Sequence, residues 1–306
     1  MMRSIATVTV CGGGKVGPCA VRHQDDRAHG AATSAGRHRH RRVQRDAGDP
    51  HAADPVERHS SRPDFAVGLA TWHWRQKVSP FTFSKDSPPV FLVHATPKDE
   101  PPFLAMTYGA LLPNIGFNAA GICQCCDTVY PTDSRIGIPR VIVSRAVLGA
   151  RTPSDAIRCT VIPHRAAGYN HLIVHESGEL YNIEVSARQF AMMYGEDGRL
   201  VHTNHYLDRA MQEIEDEPDE KIVTRVRYFR ALRLIRHSER HTVRSLQEIQ
   251  RDHINYPNGI CNHVDLEDDP FDREKTINAI VMDLTARVMH VAWGNPCQNA
   301  YHSYYL

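Results

Sequence analysis

From Met1 to Asp64 the chain contains no Leu, Phe, Tyr or Trp. A segment without large apolar side chains buries too little surface to offset its ordering entropy, so no packed domain is expected over residues 1–64. Arg, His, Asp, Gly and Ala recur there instead, as in GRHRHRRVQRDAGDPHAADP. Three readings fit that composition: an unstructured arm, a metal- or polyanion-binding patch around His38, His40, Arg41 and Arg42, or coding sequence read in a shifted frame.

Other absences narrow the function. Thirty-six basic residues against 35 acidic ones leave a formal charge of +1, without the basic excess that nucleic-acid binding needs. No apolar run approaches the ~18–20 residues that span a bilayer, and the apolar stretch within Met1 to Gly13 is too short for a secretory signal. A cytoplasmic protein with no nucleic-acid or membrane partner is therefore expected. Eight cysteines in 306 residues are too sparse for a disulfide framework and read as reduced thiols. No two close cysteine pairs stand at zinc-finger spacing, so a tetrathiolate zinc site is not expected, and neither is any other metal or cofactor. The GGG of Gly12 to Gly14 lacks the spacing and following helix of a phosphate loop.

From Phe65 onward the composition is that of a globular domain, expected to span residues 65–306. Val90 to Ala95 and Pro102 to Tyr108 are short apolar runs between Pro, Gly and charged residues, the pattern of strands, and Asn114 to Asp127 continues as an extended segment. Pro139 and Thr152-Pro153 open two short helices. HLIVHESGELYNIE predicts a hairpin turning at Glu176 to Gly178, and QFAMMYGEDGRLVHTNH predicts a second around Glu196 to Gly198. Met211 to Glu220 reads as an acidic, solvated linker. Beyond it Ile222, Val226, Phe229, Leu232 and Ile235 recur at helical spacing and predict a core-facing stripe. A last hairpin turns at Thr285-Ala286. Together these elements imply layered α+β architecture with largely antiparallel sheets.

Two clusters invite chemistry. In His202-Thr203-Asn204-His205, strand alternation sends His202 and His205 to opposite sides, which disfavours a chelate. The same alternation places His202 and Asn204 together, and an Asn amide held on a strand is a suitable donor to an oxyanion or, equally, a satisfied residue at a strand end. Cys123-Gln124-Cys125-Cys126 lies on an extended run rather than at a helix N-terminus, so its thiols read as buried small hydrophobes.

Several stretches in order carry a family resemblance: Met106-Thr107-Tyr108-Gly109, Asn114 to Gly121, Gly137-Ile138-Pro139, Arg145, Glu184 and Leu200 to His205. From about Gly68 to the C-terminus the chain resembles the acyl-coenzyme A:6-aminopenicillanic acid acyltransferase family of cysteine peptidase relatives. The resemblance implies the N-terminal-nucleophile hydrolase fold, a four-layer αββα sandwich. It also implies amide or thioester acyl transfer through a cysteine that becomes the chain's N-terminus when the precursor cuts itself at a Gly-Cys bond. The new α-amino group then serves as base for its own thiol. The partners implied are a small-molecule acyl donor and an amine acceptor, with no cofactor. Asn204 matches the family's oxyanion donor, while Tyr108, Gly109, Asn118 and Asn262 fall at substrate-binding positions.

This chain departs from the pattern within the catalytic machinery. His73, in Gly68-Leu69-Ala70-Thr71-Trp72-His73-Trp74, stands where the family has a catalytic Asp. The nearest upstream thiol is Cys19, preceded by Pro18 rather than Gly, and Asn262 stands where the fungal penicillin enzymes have Arg. The alternative to an enzyme is a non-catalytic binding or remnant protein that keeps the sandwich without a nucleophile. A penicillin V acylase or bile-salt hydrolase relative would keep its cysteine at the initiator position, which Met1-Met2-Arg3 does not fit.

Overall fold

A computed structural model of the chain describes residues 4–5, 9–12, 67–75, 90–109, 111–195, 198–216, 221–237, 241–268 and 273–306. These belong to one unit, Met1–Lys15 with Pro63–Leu306. Among the described residues it holds two antiparallel sheets of seven strands each. The first combines β1 (Ser4–Ile5), β2 (Thr9–Gly12), β3 (Val67–Arg75), β11 (Arg199–His202), β12 (Glu274–Asp283), β13 (Val288–Trp293) and β14 (Tyr301–Tyr305), in the order β11-β2-β3-β12-β13-β14 with β1 also on β3. The second is a meander of β4 (Val90–Ala95), β5 (Phe103–Tyr108), β6 (Ile115–Asn118), β7 (Ile122–Asp127), β8 (Tyr169–His175), β9 (Leu180–Val185) and β10 (Phe190–Tyr194).

Strand alternation assigns the two faces of the second sheet. On β7 the side chains of Gln124 and Cys126 reach Ser144 of helix α1 (Arg140–Val147), whereas Cys123 meets Met282 of β12 and Asp127 meets His202 of β11. One face is therefore covered by α1 and α2 (Pro153–Thr160), and the other by the first sheet. The largest apolar cluster draws Leu104, Met106, Phe117 and Leu172 from one sheet together with Ile280, Met282, Met289 and Val291 from the other. On the far side of the first sheet, Val201 and Val281 pack with Ala231 and Ile235 of α4 (Lys221–Arg236) and Leu246 and Ile249 of α5 (Val243–Gln250). The layers run helix, sheet, sheet, helix, the expected αββα sandwich. Among the described residues no helix is long and apolar enough to cross a membrane.

Local signals explain the element boundaries. Thr152 caps α2 by accepting the Asp155 N–H, with Pro153 at the first helical position, and Thr242 and Ser245 form a reciprocal capping box on α5. The turn from β6 to β7 closes with Gly121 at φ +81°, a conformation that favours glycine.

Four expectations change. QFAMMYGEDGRLVHTNH is not a hairpin: β10 edges the second sheet on β9, and the chain then crosses so that β11 pairs with β2 in the first. The burial of β10 and β11 differs accordingly, since β10 alternates between exposed and half-buried while Leu200, Val201 and His202 are all buried. The stripe on α4 holds only in its second half, where Leu232 and Ile235 pack inward with Ala231, whereas Ile222, Val226 and Phe229 are exposed and Thr224 and Arg227 face inward in their place. The first half of that inward face is polar because it holds a loop, described below. Glu215 of the acidic linker, just after α3 (Arg209–Gln212), is buried, and its Oε1 accepts the Tyr206 N–H at 2.8 Å. Finally, β1 and β2 stand within the segment read as unstructured, where the β-branched Thr9 and Val10 favour an extended chain. β14 was not anticipated.

Asn118 has a structural role in this architecture. Its amide donates to the carbonyls of Leu148 and Ala150, at 2.9 and 2.7 Å, and its Oδ1 accepts from the N–H groups of Ala120 and Ile122. Fully buried and fully bonded, it ties the β6–β7 turn to the connection between α1 and α2 and has no capacity left for substrate. Asn118→Ala is expected to destabilise the fold by about 2–4 kcal/mol through the polar groups it leaves unpaired, read as a lowered urea midpoint at unchanged slope.

Candidate active site

Three strand ends of the second sheet place polar side chains in one row. Asp127 is in register with Asn170, and Asn170 with Glu184. All three are buried. From the opposite sheet His202, at the end of β11, inserts between the carboxylates, with Nδ1 2.8 Å from Asp127 Oδ2 and Nε2 3.0 Å from Glu184 Oε1. Carboxylate oxygens accept hydrogen bonds, so this geometry calls for a hydrogen on both ring nitrogens, the imidazolium form. Burial opposes that charge, but the bonds to Asp127 and Glu184 outweigh it and raise the pKa to about 9.

The neighbouring contacts complete the cluster. Asn170 Nδ2 donates to Asp127 Oδ2 at 3.1 Å, while its own Oδ1 is buried without a partner. Glu184 accepts the backbone N–H groups of Leu207 and Asp208, at 2.6 and 3.1 Å, which fixes the chain leaving the His202–His205 segment.

The strand ends at His202, so Asn204 lies in the bend that follows rather than on a strand, and alternation does not set its direction. Three bonds set it instead. Asn204 Nδ2 donates to the Thr128 carbonyl at 3.1 Å, its backbone N–H donates to Thr224 Oγ1 at 2.8 Å, and Arg227 donates to its Oδ1 at 3.5 Å. Thr203 Oγ1 donates to the Thr224 carbonyl, and the ring of His205 meets Tyr228 edge to face. This is why α4 turns Thr224 and Arg227 inward. His202 and Asn204 thus bond consecutive residues of the second sheet's chain, Asp127 and Thr128.

The remaining candidates are distributed as follows. His73 lies on β3 opposite Thr276 of β12, and Thr276 Oγ1 accepts the backbone N–H of Asn262 at 3.0 Å, so positions 73, 276 and 262 adjoin. Asn262 is buried, with its Oδ1 unpaired. Tyr108 is buried in the inter-sheet core, and Gly109 turns the chain after β5 with φ +56°. Asn118 bonds the start of β7, about 17 Å from Asp127 at ~3.4 Å per residue. Arg145 pairs with Glu100 at 2.7 Å and lies over the Phe103 ring. Cys19 is outside the described residues.

Cys123, Cys125 and Cys126 are fully buried, as their reading as small hydrophobes requires. Cys126 lies 3.9 Å from His171 Nδ1, but that nitrogen is 2.9 Å from Gln124 Oε1, whose amide is oriented by donating to Asn114 and Ser144 carbonyls. Nδ1 therefore carries the hydrogen and cannot accept one from the thiol. Burial, with Arg165 nearby, lowers the His171 pKa to about 3, and burial raises that of Cys126, so the pair stays neutral. Sequence reasoning missed Asp127, Asn170, Thr224 and Arg227. The available signal was a carboxylate ending an otherwise apolar strand.

Residues 90–298 match the family described as acyl-coenzyme A:6-aminopenicillanic acid acyl-transferase. A mutant conjugated bile acid hydrolase from Clostridium perfringens shares 10% identity at a TM-score of 0.50, over 78% of this chain and 93% of that one. Penicillin V acylase from Agrobacterium tumefaciens shares 14% identity at a TM-score of 0.48, over 75% and 79%. The Caenorhabditis elegans ortholog of N-acylethanolamine-hydrolyzing acid amidase shares 11% at 0.45, over 72% and 88%. At 10% identity the likeness to the bile acid hydrolase concerns the fold alone. No curated protein matches the sequence.

The His202 clamp sets the pH dependence of stability. Its pKa rises on folding from near 6.5 to about 9, so the stabilisation is complete below pH ~6.5 and is lost as pH rises through about 9. Urea unfolding across pH 6 to 10 is expected to show this decline, and His202→Gln to be less stable at neutral pH with the decline removed. An unchanged pH profile in the variant would contradict the clamp.

Proposed function

The chain belongs to the acyl-coenzyme A:6-aminopenicillanic acid acyl-transferase family, and on that premise we propose that it is an acyltransferase or amidohydrolase acting on thioester or amide acyl groups of small molecules. The observation that carries this reading is Asn204, at the family's oxyanion position, held from three sides by Thr128, Thr224 and Arg227. A donor fixed before reaction stabilises developing negative charge without reorganising, which makes such a group effective in acyl transfer.

In the proposed reaction a cysteine thiolate adds to the acyl carbonyl, forming a carbon–sulfur bond as the carbonyl electrons move to oxygen. The Asn204 amide donates to that oxyanion. Collapse expels the amine or thiol, which takes the proton that the base removed from the nucleophile, and water or an acceptor amine then resolves the acyl-enzyme. Cys19, the nearest upstream thiol, would be the nucleophile, with its own α-amino group as base, only if Pro18-Cys19 is cut, and Pro18 stands where the family's cleavage has Gly. The clamp of His202, Asp127 and Glu184 is a positioning element, since its groups are committed to one another. Asn262 and the position of His73 adjoin through Thr276 and are assigned to the same site.

His73 at the family's Asp position favours a second reading, a binding protein that retains the pocket but not the reaction. An imidazole does not supply the permanent negative charge of a carboxylate near neutral pH. The full chain assayed against acyl-coenzyme A thioesters and N-acyl amides separates the two. In a version of the chain given a Gly-Cys N-terminal segment and His73→Asp, turnover is expected, falling by ~10²–10³ in Asn204→Ala with KM changed little and circular dichroism unchanged. Because Pro18 rather than Gly precedes Cys19, intact mass is expected to show one unprocessed chain, and a product beginning at Cys19 with thiol labelling there would instead establish that residue as the nucleophile. A single uncut chain that neither turns over these substrates nor forms an acyl-enzyme supports the binding protein.

A further inference from the structure

Four potential metal ligands converge, three from one loop (His253, Cys261 and His263) and Cys297 from 34 residues further on, with all ligand atoms within 4.8 Å of one another. His253 Nε2 lies 3.1 Å from His263 Nε2, Cys261 Sγ lies 3.6 Å from Cys297 Sγ, and His263 Nε2 lies 3.5 and 3.4 Å from the two sulfurs. Tetrahedral zinc with bonds of ~2.3 Å to sulfur and ~2.0 Å to nitrogen requires edges of about 3.7 Å between sulfurs, about 3.5 Å between sulfur and nitrogen and about 3.3 Å between nitrogens. These four edges follow that pattern within about 0.2 Å, and the two from His253 to the sulfurs lie within 4.8 Å. The sulfurs are far beyond the ~2.05 Å of a disulfide, and both cysteines are free.

The surroundings hold these groups in place. Asn295 Nδ2 donates to Cys261 Sγ at 3.5 Å and to the Asn262 carbonyl at 2.7 Å. The backbone N–H of Cys261 donates to the Asp252 carbonyl and that of His263 to the Pro257 carbonyl. Arg230 of α4 forms a two-pronged ion pair with Asp252, Nε donating to Oδ1 and Nη2 to Oδ2, which anchors the start of the loop. The Tyr256 ring packs against both imidazoles. Fixed ligands supported by a second layer of hydrogen bonds are the organisation of a structural metal centre.

We infer that His253, Cys261, His263 and Cys297 bind a zinc ion that joins the loop between α5 and β12 to the turn between β13 and β14. Binding releases two thiol protons to solvent and leaves a neutral Zn(II)-dithiolate-diimidazole centre. With four protein ligands the coordination is closed, so the ion's role is structural. Cys261 and His263 flank Asn262, so the ion fixes the backbone whose N–H bonds Thr276. This site stands independently of acyl transfer. The earlier expectation of no metal rested on close cysteine pairs, which a site assembled from single residues over 253–297 does not have.

The test is the full chain expressed in zinc-supplemented medium and dialysed, with metal measured by inductively coupled plasma mass spectrometry. About one zinc per chain is expected, and replacement by Co(II) is expected to give tetrahedral d–d bands with thiolate-to-cobalt charge transfer. His253→Ala, at the exposed ligand, should weaken zinc binding by more than the ~10–100-fold typical of losing a supporting group. Cys159→Ser, elsewhere in the chain, should leave it unchanged. Substoichiometric zinc, a Cys261–Cys297 disulfide in the mass map, octahedral cobalt spectra, or equal zinc retention by His253→Ala and the parent would each overturn the site.

Discussion

A charged imidazole buried between two carboxylates is the constraint around which the sandwich is organised. His202 comes from one sheet, Asp127 and Glu184 from the other, and none of the three side chains is exposed. Taking such charges out of water is costly, and removing one member of a buried pair typically destabilises by about 3–5 kcal/mol because the others lose compensation. The register between the sheets is therefore tied to this contact in a way that interchangeable apolar side chains would not impose. Glu184 extends the constraint by holding the Leu207 and Asp208 N–H groups, so both ends of the Thr203–His205 bend are fixed.

The helix α4 is the second support, and its composition reflects a compromise. Turning Thr224 and Arg227 inward holds the Asn204 bend, while Arg230 anchors Asp252 in the loop that carries Asn262. One helix thereby steadies two loops that family resemblance assigns to one site. The same rotation leaves Ile222 and Phe229 exposed, an arrangement that apolar burial alone would not select.

Much of the second sheet was legible because its strands are short apolar runs separated by Pro, Gly and charged residues. Helix starts were legible from Thr152-Pro153, where capping chemistry is local. What escaped depends on distant residues. QFAMMYGEDGRLVH carries a turn signal, yet β11 pairs with Thr9–Gly12, a choice set by the far end of the chain. The face of α4 was misjudged because periodicity scores apolar side chains and cannot see a Thr hydroxyl required by a loop. Asn204 was found through its motif, but Asp127 was hidden at the end of a cysteine-rich strand, since its partner lies 75 positions away. The gathered His and Cys ligands escaped for the same reason: local spacing carries no record of convergence.

The most direct test of the clamp is the protonation state of His202 by nitrogen-15 nuclear magnetic resonance of the histidine-labelled chain, assigned with His202→Gln. A buried imidazolium predicts that both ring nitrogens carry hydrogen at pH 7.5 and titrate only near pH 9. A neutral ring with one bare nitrogen at pH 7.5 would contradict it.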